Sequence, residues 1–237
     1  MKGRFIIIIP YHFEFFKCFE ENLRQAGYEV SLMFLTDRPF KYKRFYQRIN
    51  NFIQKSLFKN RSYKERLRVN ENSEELIKEL SAMDTLVDYA LVIRADFINE
   101  AAVTYLKEKS NKVFAYQWDG YKRSAAAEQL IHFFDTFFVF DSNDYKRYSK
   151  NFSNIRFITN FYLDNEPKNC INDGSVFFIG RYLKERELSI SMISEFFRKK
   201  GIRSNINIIV GSKRIQKKII NDNITIQKDV LHYGEML

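Results

Sequence analysis

The chain has 237 residues, of which 45% are hydrophobic and 29% charged, so it can bury a sizeable core and is not a disordered chain. Gly 8 and Pro 3 exclude collagenous and low-complexity classes. Lys+Arg 39 against Asp+Glu 29 gives +10, which favours an anionic partner: nucleotide, nucleic acid or membrane surface. Two cysteines, Cys18 and Cys170, are too few for a disulfide framework or a cysteine metal site, and read as buried or idle thiols in a reducing compartment. The apolar run from Phe5 to Pro10 is far shorter than the ~20 residues of a spanning helix. No signal-peptide core or cleavage site follows Met1-Lys2-Gly3-Arg4, so a cytoplasmic location is expected.

In chain order, Phe5-Ile6-Ile7-Ile8-Ile9 reads as a strand buried on both faces, since every position is apolar and four are β-branched. A helical pattern over 13–26 follows, closed by Gly27, and 28–35 is a second strand. Further strands are predicted over 89–94, 112–118, 136–140 and 155–159, with helices over 73–83, 99–109, 123–133 and 143–149. This alternation predicts a doubly wound α/β domain with a parallel sheet over 1–165. A polar stretch over 165–174, holding Pro167 and Gly174, is the linker candidate. The alternation restarts over 175–237: strand 175–179, Gly180, helix 185–200, strand 205–210, Gly211, a short helix near 214–220, strand 223–227 and a helix opening at His232. This second unit is small for a complete domain, and its end at Leu237 reads as a C-terminal truncation.

Residues 41–68 carry ten cations against Glu65, a charge of +9 in 28 residues. On a helical wheel Phe45, Tyr46, Ile49, Phe52, Ile53 and Leu57 share one face, while Arg44, Arg48, Lys55 and Lys59 line a flank. Two readings stand: a surface helix with its apolar side on the core, or an interfacial helix on anionic lipid, where each basic residue adds ~1 kcal/mol. The second would hold the protein peripherally on the inner face of the cell membrane. Nucleic-acid binding needs stacking aromatics beside the charge. Here the aromatics fall on the expected core face, so no nucleic-acid partner is expected.

Ligands of open α/β sheets bind beyond the carboxyl ends of the strands. Four such ends carry polar groups: Tyr11 and His12, Arg94 and Asp96, Trp118 and Asp119, and Asp141 with Asp144. Asp119 and Asp141 also suit a helix cap, and His12 a satisfied structural histidine. In the second unit, Gly180 would let the backbone approach a phosphate at a helix N-terminus, with Arg181, Lys184 and Arg186 to neutralise a diphosphate. A tight turn with solvated cations is the other reading. Gly211-Ser212-Lys213 repeats the arrangement. No P-loop, G-x-G-x-x-G, C-x-x-C, H-E-x-x-H or G-x-S-x-G motif occurs, which removes support for P-loop, NAD, zinc-hydrolase and serine-esterase classes. The three histidines, His12, His132 and His232, lie far apart, and no metal site is expected.

Several segments, taken in order, resemble GT-B glycosyltransferases of bacterial lipopolysaccharide and capsule biosynthesis. They are Tyr116-Gln117-Trp118-Asp119-Gly120, Phe140-Asp141-Ser142-Asn143-Asp144 with Tyr148, and Asn160-Phe161-Tyr162. Phe177-Phe178-Ile179-Gly180-Arg181-Tyr182 with Arg186 follows, then Ile208-Ile209-Val210-Gly211. The resemblance covers roughly 85–237; the first eighty residues match only as a generic Rossmann half. It implies two facing Rossmann-like domains, an acceptor domain over 1–165 and part of a nucleotide-sugar domain over 175–237. It further implies metal-independent transfer of a sugar to a lipid-linked or saccharide acceptor, with no cofactor beyond the nucleotide-sugar substrate. The family continues past Leu237 into the part that holds the nucleotide ribose and base.

The expected roles are Asp119 or His12 as general base and Tyr11, Asp96, Trp118 and Asp141 as acceptor cleft. Gly180, Arg181, Lys184, Arg186 and Gly211 would form the donor diphosphate site. Desolvation by Trp118 and Tyr116 would make Asp119 an effective base. The alternatives are a GT-A-type metal-dependent transferase using Asp141-Ser142-Asn143, and a non-catalytic basic nucleic-acid- or membrane-binding protein.

Overall fold

In the computed structural model, residues 2–11, 14–38, 40–60, 62–121, 125–159, 174–210 and 224–227 are described. The chain divides into two units, Met1–Leu163 and Asp164–Leu237. In the first, β1 (Arg4–Pro10) buries Ile6, Ile7, Ile8 and Ile9 completely, as a strand covered on both faces must. It is followed by α1 (Phe16–Gln25), β2 (Glu29–Leu35), α2 (Phe45–Ser56), α3 (Tyr63–Ser81) and β3 (Val87–Ile93). Then come α4 (Glu100–Lys109), β4 (Ser110–Gln117), β5 (Thr136–Val139), α5 (Ser142–Tyr148) and β6 (Ile155–Phe157). The strand order is β2-β1-β3-β4-β5-β6, every pair parallel.

The alternation of side chains along β1 divides the core. Ile6 and Ile8 pack with Leu76 and Leu80 of α3 and Val103 and Leu106 of α4. Ile7 and Ile9 pack on the opposite face with Phe16, Phe19 and Leu23 of α1. Helices on both faces of a parallel sheet make this a doubly wound α/β unit, and its connections reverse direction between β1 and β3. Gly27 closes α1 at φ 94°, a conformation costly for residues with a Cβ, while the Tyr28 N–H donates back to the Leu23 carbonyl at 3.1 Å.

The second unit holds β7 (Val176–Arg181), α6 (Glu187–Lys200), β8 (Ser204–Ile209) and β9 (Ile224–Gln227) in a parallel sheet of order β7-β8-β9. Its described core joins Ile206, Ile208 and Val210 to Phe178, Tyr182, Ile190, Phe197 and Ile224. The polar linker residues 165–173, Cys170 among them, lie outside the described residues, as do the helices expected over 214–220 and from His232.

Three elements differ from the sequence expectation. The helix expected from residue 73 begins at Tyr63, ten residues earlier. The helix expected over 123–133 is a 3₁₀ helix, Ala125–Phe133. Its buried Ala127 and Leu130 and core-packed Phe133 recur every third residue, the period of a three-residue turn. Most consequentially, α2 does not place its apolar side on the core. Phe45 is 76% exposed and Phe52 70%, whereas Asn51 is buried. Leaving the two phenylalanine rings in water forgoes about 1.5–3 kcal/mol each.

The edge of the first sheet is pinned by Asn72 of α3. Its amide nitrogen donates to the Thr36 and Phe97 carbonyls, both at 3.2 Å, and its oxygen accepts from the Thr36 N–H at 3.0 Å. Asn72→Ala leaves three backbone groups without their partner, and urea denaturation is expected to show a loss of about 2–3 kcal/mol; a loss under about 0.5 kcal/mol would remove Asn72 as a strut.

Candidate active site at the carboxyl edge of the first sheet

The register pairs Ile93 with Tyr116, which sets the residues leaving β3 beside those leaving β4. Arg94 follows β3 in a left-handed conformation, φ 69°, which an L-residue adopts at a cost of about 1–2 kcal/mol. Its guanidinium grips Asp96 through Nε to Oδ1 at 2.8 Å and Nη2 to Oδ2 at 2.7 Å. Nη1 donates to Asp119 Oδ2 at 2.5 Å. Gln117, fully buried at the end of β4, donates its amide to Asp96 Oδ1 at 2.9 Å. The planar fork of arginine is what allows one side chain to hold two carboxylates on different strand ends.

Burial opposes the charge on Arg94, but the Asp96 hydrogen bonds and the charges of Asp96 and Asp119 outweigh it and hold the guanidinium above its ordinary range. The Phe97 ring lies under the Arg94 guanidinium at 4.7 Å and under that of Arg68, from α3, at 4.3 Å. Arg68 in turn donates to the Asp37 carbonyl and pairs with Glu65. The segments after β2 and β3 and the N-terminal turns of α3 are thus joined by a cation–aromatic layer.

The expected site residues fall into three groups. Asp96 and Asp119 come together through Arg94. Both oxygens of Asp96 accept from Arg94, so its role is to position that residue rather than to meet a ligand directly. Asp141 caps α5, its Oδ1 accepting from the Asn143 N–H at 2.7 Å. The Tyr121 N–H donates to Asp144 Oδ2 at 2.9 Å. A side chain at Gly120 would crowd Asp144 Oδ2 at 3.3 Å and Asp141 Oδ2 at 3.6 Å, so these carboxylates border the turn after β4. Asp141, the acid of the D-x-N candidate, and the adjacent Asp144 each already accept from a backbone donor. Tyr11 packs on Phe16 and Phe34 beside β2, with ring centroids 5.4 Å away in both cases. His12 lies outside the described residues.

The apolar cover foreseen for Asp119 goes elsewhere. Trp118 joins the α1-side core with Ile7, Ile9 and Ile93, its ring edge-on to Phe15. The charge beside Asp119 is Arg94. Arg94 is named from sequence at its strand end but given no role, and Gln117 and Arg68 are given none in the site. The register of β3 with β4 is the signal that would have brought the first two forward.

In the second unit, Gly180 lies within β7, paired with Ile208, rather than in the loop beyond it. A Cβ there would sit 2.9 Å from Phe178 Cζ, so the glycine makes room for that ring on the same face of the strand. Arg181 ends the strand, and a 3₁₀ turn, Lys184–Arg186, leads into α6. Arg181, Lys184 and Arg186 are exposed around the N-terminal end of α6, and Tyr182 donates to Glu187 Oε2 at 2.6 Å. Gly211, the remaining candidate for this site, and Asn160, Phe161 and Tyr162 of the resemblance lie outside the described residues.

The chain thus holds two successive Rossmann-like parallel α/β units. Among solved structures, those of Acinetobacter baumannii MurG and of TarM are similar to the chain. The MurG match has 10% identity and a TM-score of 0.43, covering 98% of this chain and 67% of that one. The TarM match has 10% identity and a TM-score of 0.47, covering 96% and 76%. No protein-family model and no curated protein matches the chain.

Two outcomes test this geometry. Arg94→Ala strands the buried Asp96 carboxylate and is expected to cost about 3–5 kcal/mol in denaturant unfolding, whereas Arg94→Met with Asp96→Leu recovers most of that loss; an equal loss in the double variant would show that the pair is not the source. Burial pushes the Tyr116 phenol up to about 12, above the ~10 of an unfolded tyrosine. A raised folded value gives stability that is complete below pH 10 and lost as pH rises through 12. Wild-type unfolding free energy is therefore expected to fall more steeply between pH 10 and 12 than that of Tyr116→Phe; parallel curves would refute it.

Proposed function

We propose that the protein is a glycosyltransferase that moves a sugar from a nucleotide-sugar to a hydroxyl of a lipid-linked or saccharide acceptor, of the kind that builds bacterial lipopolysaccharide or capsule. The observation that carries this reading is the Asp119 carboxylate, held by Arg94 beside the β1/β3 reversal of a parallel sheet. That is where such sheets bind their ligands. In the reaction the acceptor oxygen forms a bond to the anomeric carbon, the bond from that carbon to the diphosphate oxygen breaks, and the nucleoside diphosphate leaves. The acceptor proton passes to a base, here Asp119, with His12 as the other candidate. Arg94 fixes the Asp119 carboxyl in one orientation through a charged hydrogen bond, which lowers the reorganisation needed at the moment of transfer.

The leaving diphosphate needs positive charge. Arg181, Lys184 and Arg186, exposed just ahead of α6, supply it from their side chains, with the positive end of the helix dipole beside them. This is the basis for proposing a transfer that does not require a metal ion. Gly180 contributes indirectly, by fitting β7 around Phe178 and so fixing where Arg181 emerges.

Thermal unfolding with a panel of nucleotide-sugars tests the class of ligand. One of them at a hundredfold excess over its Kd is expected to stabilise the protein by about 2.7 kcal/mol, and no stabilisation or transfer with any member would overturn the reading. With that donor in hand, Arg186→Glu is expected to raise donor KM at least tenfold. Asp119→Asn is expected to lower the single-turnover rate about 10²-fold or more. A change of only a few fold in Asp119→Asn, together with a loss of that size in His12→Gln, would transfer the base to His12.

A further inference from the structure

Helix α2 is built inside out. Its polar side faces the protein: Asn51 is buried, and Gln47 and Gln54 are half-buried. Gln47 Oε1 accepts from the Lys43 and Arg44 N–H groups at 2.9 and 3.2 Å, closing the start of the helix. At its end, Asn60 donates to Gln54 Oε1 at 3.2 Å, and the turn leads into α3, on which α2 packs. The opposite side carries Phe45, Ile49 and Phe52 at i, i+4 and i+7, all exposed, with Tyr46 exposed on the flank and Leu57 and Phe58 exposed in the turn that follows. Arg44, Arg48, Lys55 and Lys59 are exposed as well. By helical geometry Arg44, Arg48 and Lys55 form a row bordering Phe52.

Water gives such a stripe no reason to point outward, and packing on α3 gives it none either, since the turned-in side is amide-lined. A protein partner would satisfy the phenylalanines. The row of cations, with no acid anywhere in 41–59, asks in addition for a surface that is extended, negative and apolar just beneath. An anionic bilayer has that layering: headgroup phosphates at the level of the arginine and lysine tips, acyl chains at the level of the rings. At twelve residues α2 is too short to span, and among the described residues no helix is long and apolar enough to cross a membrane. We propose that α2 and the turn after it lie in the surface of an anionic membrane, with Phe45, Ile49, Phe52, Leu57 and Phe58 inserted and the four cations on lipid phosphates.

The placement of α2 adds to this. It is reached from the carboxyl end of β2 through residues 36–44, and the N-terminal part of α3 that follows it meets Asp37 and Phe97 beside Arg94. The membrane-facing element and the Arg94–Asp119 edge therefore belong to the same end of the first sheet. If the proposed acceptor is lipid-linked, docking brings its headgroup to that edge; this last step rests on the proposed function, whereas docking itself does not.

Vesicle sedimentation separates the two, because it needs no substrate. The protein is expected to pellet with phosphatidylglycerol/phosphatidylethanolamine vesicles and, at least tenfold more weakly, with phosphatidylcholine. Raised salt should release it. Phe45→Ser with Phe52→Ser, and separately Arg48→Gln with Lys55→Gln, should each weaken pelleting tenfold or more with unchanged circular dichroism and thermal midpoint, since all four side chains are exposed. Absent pelleting, equal affinity for the neutral vesicles, or variants that pellet like wild type would overturn the proposal. So would a wild-type dimer in solution that Phe45→Ser with Phe52→Ser turns into a monomer, because a second copy would then own the face. In the variants that lose vesicle binding, nucleotide-sugar stabilisation should persist; its presence or absence judges the transferase reading, not the docking.

Discussion

A half-buried guanidinium at the end of a strand has to find its counter-charges within one side chain's reach, and the first unit is arranged around that requirement. Arg94 answers Asp96 from its own loop and Asp119 from the next strand, while Gln117 completes the shell of Asp96 from below. A pair this enclosed adds little net stability by itself, because desolvation consumes most of the Coulomb gain. What it contributes is position. The left-handed backbone at Arg94, the aromatic layer of Phe97 with Arg68, and the ties of Asn72 all hold the same edge in one arrangement.

A carboxylate fixed in this way differs from one shielded by indole and phenol rings. An arginine partner fixes its direction through a charged hydrogen bond. The sequence placed Asp119 at the right strand end. It did not show Arg94 beside it, because that contact depends on the parallel register of β3 with β4 and on a backbone conformation that no local pattern announces.

Legibility in this chain follows the range of the interaction. The strands were legible because a run such as Ile6-Ile7-Ile8-Ile9 has no other stable home than the middle of a parallel sheet. Helix α1 and its Gly27 stop were legible from local chemistry. The first half of α3 was hidden in a basic run whose apolar positions are too sparse to show a period. For α2 the period was visible and its direction was not: a hydrophobic stripe says that one face differs from the other, and leaves to the rest of the molecule which one turns inward. The cations of the second unit were legible as a cluster, whereas Gly180 answered to Phe178 two residues away rather than to a ligand.

The position of β1 has a consequence for how the molecule is made. Its neighbours are β2, close in sequence, and β3, whose Tyr89 pairs with Phe5. Between them lie α2 and α3, so the second edge of the most apolar strand stays open until β3, about eighty residues further along the chain, has been brought round. Closing that interval is paid in loop entropy before any ladder bond rewards it, which places assembly among the slower, non-local foldings. During that wait the isoleucines have only β2 and α1 for shelter. Of the strands in the first sheet, β1 waits through the longest stretch of chain for its second neighbour.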